Sequence, residues 1–75
     1  MISEREVTSM MVVNIAYETT SPAVLENIIL SRVPEAVVLW FDVDEDFFEL
    51  CIRSYPGFED VVDMALIEEI LAPYV

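Results

Sequence analysis

The residues with the most chemical potential in this chain are acids. Asp42, Asp44, Glu45, Asp46 and Glu49 crowd one segment, and Glu59, Asp60 and Asp63 crowd a second. Clustered carboxylates can hold a cation, move a proton or pair with basic groups, and each use has its own requirements. Asp42, Asp44 and Asp46 match the opening of a calcium loop, but that loop also needs a Gly at its sixth position and a bidentate Glu at its twelfth. Counted from Asp42, those positions hold Phe47 and Arg53, so no dedicated metal site is expected. Acid–base catalysis needs one carboxylate desolvated enough to raise its pKa, whereas these acids fall at a hairpin tip and on a helix exterior. With no His, no Lys and a single Gly, the usual parts for activating a nucleophile or cradling a phosphate are missing. Cys51 has no His to activate it, and it reads as a small residue packed in a sheet or an interface. The expectation is a protein that is not an enzyme and carries no cofactor.

Composition narrows the partners. The chain has 75 residues, 15 of them Asp or Glu against three Arg, for a formal net charge of -12 and a pI near 4.1. Phosphate binding depends on Lys and Arg replacing condensed counterions, so direct binding to nucleic acid or to an anionic membrane is disfavoured. The same chain is 56% hydrophobic with a mean hydropathy of +0.53, and disorder would require low hydrophobicity as well as charge. One folded domain over residues 1–75 is expected, with residues 1–6 as a flexible N-terminal segment. A domain this small hides only about 60% of its unfolded surface, and self-repulsion works against compaction. Cys51 is the single cysteine, so an internal disulfide cannot help. Met1 to Glu6 has no apolar signal core and the longest apolar run, Ala36 to Phe41, is far short of a membrane span. A cytoplasmic protein is the reading that follows.

The elements that position the acids come from periodicity. Val7 to Tyr17 is rich in β-branched residues and reads as a strand, with Val7, Ser9, Met11, Val13, Ile15 and Tyr17 on one parity. A helix competes there, since Ser3 and Glu6 have capping-box spacing; strand ranks above it. Ser21 and Pro22 start a helix that runs to about Arg32, with Val24, Leu25, Ile28, Ile29 and Val33 on its apolar face. Pro34 ends it. Ala36 to Val43 and Phe47 to Tyr55 form an antiparallel hairpin around Asp44, Glu45 and Asp46, with Val37, Leu39, Phe41 and Val43 facing the same core as Phe48, Leu50 and Ile52. Pro56 and Gly57 break the strand, and a last helix is expected from about Phe58 to Ala72. The predicted fold is α+β, order β-α-β-β-α, a three-stranded antiparallel sheet with two helices packed mainly on one face.

Such an arrangement leaves the other sheet face open. That face would present Met10, Val12, Ala16, Val38, Trp40, Phe47, Cys51 and Tyr55, and an apolar surface of that kind usually marks an interface. The last helix is expected to change sides, because Met64, Ile67, Ile70 and Leu71 follow on the side held earlier by Glu59, Asp60 and Asp63. A homodimer or partner face comprising Trp40, Val38, Phe47, Tyr55, Ile67 and Leu71 is therefore expected.

Two explanations of the acids compete. The plain one is a solvated surface that keeps a hydrophobic protein soluble, with adaptation to high salt as a variant. The sharper one is imitation of nucleic acid. Alternate residues on a strand project about 6.6 Å apart, from a rise of about 3.3 Å per residue, so Asp42, Asp44 and Asp46 would approximate the spacing of successive phosphates. Glu59 and Asp63, one helical turn apart, would repeat that separation beside Asp60. Carboxylates also accept the bidentate Arg contacts that guanine edges receive.

In its short length, extreme acidity, compact α/β body and two acidic clusters, the chain resembles the phage-encoded inhibitors that act as DNA mimics, including several anti-CRISPR proteins. Members of that group share no signature, so the contact residues would be this chain's own: Asp42, Asp44, Glu45, Asp46, Glu49, Glu59, Asp60 and Asp63. The resemblance implies an inhibitor that occupies the DNA-binding, PAM-reading site of a CRISPR effector complex in the host cytoplasm. The alternatives are an immunity protein or antitoxin that neutralises a basic nuclease by charge complementarity, and a structural homodimer whose acids confer only solubility.

Overall fold

The structure, a computed structural model, describes residues 8–75. Its elements are strand β1 (Thr8–Ala16), helix α1 (Pro22–Arg32), strands β2 (Val37–Asp42) and β3 (Phe47–Ser54), and helix α2 (Met64–Leu71), which runs into a 3-10 turn at Ala72–Tyr74. The fold is α+β in the order β-α-β-β-α. Residues 1–6, expected to be flexible, lie outside the described residues, as does the Met10 side chain.

β3 is the central strand and pairs antiparallel with both neighbours, in the order β1-β3-β2. The chain therefore crosses from one sheet edge to the other through α1. Ser21 caps α1, its hydroxyl accepting from the Val24 amide at 3.3 Å, and Pro22 occupies the first turn. At the far end the Val33 amide donates to the Ile29 carbonyl at 2.7 Å before Pro34 ends the helix. Leu25, Ile29 and Val33 are buried, whereas Val24, expected on the same apolar face, is exposed.

Directly paired residues in a sheet share a face, and the register shows which face is covered. Met11, Ile52 and Val38 form one row, Val13, Leu50 and Trp40 the next, and Ile15, Phe48 and Asp42 the last. Phe48, Leu50 and Ile52 are wholly buried in one cluster with residues of both helices, including Leu25, Ile29, Ile67 and Leu71. Both helices thus share one sheet face. The expected parity of β2 is reversed: the even-numbered residues face the helices, and Val37, Leu39 and Phe41 lie on the other side. The hairpin sets this register. The Val43 amide donates to the Phe47 carbonyl at 3.1 Å, so Asp42 is opposite Phe48 and even residues meet even residues.

The last helix is shorter than expected. Tyr55 to Val62 makes turns, with amide bonds from Phe58 to Tyr55, Val61 to Phe58 and Val62 to Phe58 at 3.0 to 3.2 Å. Gly57 sits at φ +88°, a conformation few L residues adopt. Phe58 and Val61 are exposed and only Val62 is buried, so no continuous apolar stripe holds this stretch in a helix. α2 begins after Asp63, whose carboxylate accepts from the Leu66 amide at 3.1 Å. From there one face suffices: Ile67, Ile70 and Leu71 are buried, and Glu68 and Glu69 are exposed. The expected change of side disappears, because it depended on helical spacing from Phe58 onward. The smallest principal extent, 15 Å, is that of one sheet layer and one helix layer about 10 Å apart, with no layer on the other side among the described residues.

Candidate protein-binding face

The first acidic segment does not form a ladder. β2 stops at Asp42, and residues 44–46 bend, so the alternation that would space Asp42, Asp44 and Asp46 like phosphates is lost. Asp44 turns inward: its Oδ1 accepts from the Asp46 amide at 2.8 Å and the Phe47 amide at 3.0 Å, the local bond by which Asp shapes turns. Asp42 lies on the helix-side face and accepts a hydrogen bond from the Tyr17 hydroxyl. That bond, with lesser contributions from desolvation and the Asp42 charge, raises the Tyr17 pKa above its ordinary value, because it stabilises the protonated phenol. Asp42 and Asp44 are thus engaged within the chain, while Glu45 and Asp46 remain exposed at the tip.

The second segment also folds on itself. Glu59 Oε1 accepts from the Gly57 amide at 3.0 Å and closes the turn after β3. Asp63 caps α2. Neither is one helical turn from the other on a helix, which corrects the spacing expected for the pair; Asp60 is exposed between them. The two acidic segments are also attached at opposite ends of β3, whose eight residues span about 23 Å at the usual rise.

The hairpin end gains a residue that the sequence reading missed. Ala16 pairs with Phe47 and the Tyr17 amide donates to the Asp46 carbonyl at 2.9 Å, which ties the end of β1 to the hairpin. The result is a concave site of about 400 Å3 lined by Ala16, Tyr17, Glu18, Glu45, Asp46 and Phe47. Glu18 is exposed there. Glu18, Glu45 and Asp46 make this concave site acidic, which suits a cationic side chain. Tyr17 is held by Phe48, with ring centroids 5.0 Å apart.

The open sheet face adjoins this end. Its rows are Val12, Cys51 and Leu39, then Asn14, Glu49 and Phe41, then Ala16 and Phe47. Val12 is 53% exposed, Phe41 50%, Phe47 43% and Leu39 36%. Of the expected interface residues, Val38, Ile67 and Leu71 are buried in the chain's own core and cannot form a face for a partner. Trp40 is exposed, but on the helix side of the edge strand β2, and Tyr55 is exposed just beyond β3. Phe47 alone of the six lies on the open face within a strand. Glu49 is half-buried in the middle of that face, and the Cys51 thiol approaches its Oε1 at 3.9 Å. Burial pushes the Cys51 pKa up, reinforced by the Glu49 charge and partly opposed by Arg53. The thiol stays protonated at neutral pH, so Cys51 is poorly suited to nucleophilic chemistry.

Among the described residues, no group of three or more His, Cys, Asp or Glu could hold a metal ion, and no helix is long and apolar enough to cross a membrane. No protein-family model, curated protein or solved structure matches the chain.

Proposed function

We propose that this protein is an acidic inhibitor that binds the basic nucleic-acid-binding surface of another protein and blocks it, without catalysis. One observation carries this reading: Glu18 and the sequence-distant Glu45 and Asp46 line one concave site at the hairpin end. Solvation requires acids to be exposed, but it does not require acids of two separate turns to line one concavity. The form of mimicry differs from a row of phosphate-spaced carboxylates. Cationic side chains of the partner enter a shaped end, and the partner's groove is lost to DNA.

The resemblance to DNA-mimic inhibitors makes the site that reads the PAM in a CRISPR effector complex the most pointed target. A basic nuclease, neutralised by an immunity protein, uses the same physics. Competition separates these targets. The protein is titrated into a CRISPR effector complex bound to a PAM-containing duplex and, in parallel, into a basic nuclease bound to DNA. Release of duplex from one of them, lost on Glu18→Gln with Glu45→Gln and Asp46→Asn, supports the proposal. Release that is unchanged by those substitutions contradicts the assignment of the site.

A further inference from the structure

We propose that the open sheet face and the acidic hairpin end are one docking surface, and that its occupant is an amphipathic helix of the partner, apolar along one side and cationic at the end that meets the hairpin. The proposal rests on the reading of a basic protein partner and adds the shape and polarity of the segment it presents.

The face is apolar and polarised along its strands. Val12, Leu39, Phe41 and Phe47 project from it, and Cys51 forms its buried floor between Val12 and Leu39. Glu18, Glu45 and Asp46 stand at the hairpin end and Glu49 in the middle. Arg53 lies at the other end, opposite Val37. Charge complementarity selects the occupant. A second copy laid face to face would bring four acids and one arginine against four acids and one arginine, and each copy carries a net charge of -12. A cationic partner with a polar surface would satisfy the acids but leave the aromatic and aliphatic groups wet. A segment with both properties satisfies both halves. The face runs along β3 for about 20 Å from Arg53 to Phe47 at the strand rise, the length of about 13 helical residues. A helix placed there supplies a layer that the described residues do not form on that side.

Two synthetic helical peptides of about 14 residues, equal in lysine number and with the lysines gathered at one end, test this directly. One has leucines at i, i+3, i+4 and i+7; in the other, glutamine replaces them. Fluorescence anisotropy at low salt is expected to show the leucine peptide binding at least about tenfold tighter, a gap of about 1.4 kcal/mol that persists when salt screens the charges. Leu39→Ser with Phe41→Ser, and separately Val12→Ser on the other edge strand, should close that gap and leave the glutamine peptide's affinity unchanged; circular dichroism checks that each variant is folded. Equal affinity for the two peptides, or a gap indifferent to these substitutions, overturns the docking surface while leaving a basic partner in place. Failure of both peptides to bind at low salt overturns the basic-partner reading too. A dimer in sedimentation that dissociates on Phe41→Ser assigns the face to a second copy and overturns the proposal.

Discussion

The two acidic segments look alike as sequence and differ as structure. At 59–63, Glu59 closes a turn on the Gly57 amide and Asp63 caps α2, so the carboxylates chiefly organise their own backbone. At the hairpin, Asp44 does the same for Asp46 and Phe47, but this frees its neighbours. Glu45 and Asp46 stand out from the bend and line one concavity with Glu18, from the turn after β1. An acid's role here follows from whether a backbone amide lies within its reach, not from the density of acids around it.

Substitutions that separate structural from outward acids sharpen this contrast. The largest effect on stability is expected from Asp44→Ala, which removes the acceptor of two amide bonds in the hairpin. At about 1 kcal/mol for each bond, the loss should approach about 2 kcal/mol in chemical denaturation. Asp63→Ala should cost about 1 kcal/mol, the usual penalty for losing an N-cap, and Asp63→Asn should recover most of it because Asn caps well. Glu45→Gln and Asp46→Asn, which remove no hydrogen bond of the carboxylates, should change stability by less than about 0.5 kcal/mol. If Glu45→Gln proved as destabilising as Asp44→Ala, the division between the acids would fail.

The smallest effect is a titration. The Tyr17 hydroxyl donates to Asp42, and its pKa is raised above the ordinary tyrosine value of 10.0. Because the folded state holds that proton more tightly than the unfolded state, the interaction stabilises the fold below the unfolded pKa and is lost as pH rises through the folded one. Ultraviolet titration should show one tyrosine ionising later than the value for an unfolded chain, and Tyr17→Phe should remove that late step. A late step that survives Tyr17→Phe would place the raised group elsewhere.

Much of the fold was legible because local signals agreed. Ser21 and Pro22 mark the start of α1, Pro34 marks its end, and the even residues of β3 alternate cleanly into the core. β2 was legible as a strand but not as a side. Ala36 to Phe41 is an unbroken apolar run, so alternation carries no information there. The signal lay in the loop: with three residues, 44–46, between Val43 and Phe47, pairing places Asp42 against Phe48 and the even residues of both strands on one face. Reading the apolar parity instead reversed Val38, Trp40 and Asp42. The start of α2 was missed for a related reason. Phe58, Val61 and Val62 have helical spacing, but Asp63 is a strong cap within the run, and a helix that starts at the cap already buries Ile67, Ile70 and Leu71. The contribution of Glu18 depended on β1 and the hairpin meeting at one sheet end, which no local pattern reports.

Charge and position can be separated by comparing two variants that each lose three acids. One carries Glu18→Gln, Glu45→Gln and Asp46→Asn; the other carries Glu59→Gln, Asp60→Asn and Asp63→Asn, which keeps acceptors for the Gly57 and Leu66 amides. Their affinities for the lysine-ended leucine peptide are measured at low salt. With exposed ion pairs worth about 0.2 to 1 kcal/mol each, the first variant should lose about tenfold in affinity and the second less than about twofold. Equal losses in the two variants would show that net charge alone attracts the peptide, and would contradict a built recognition site at the hairpin end.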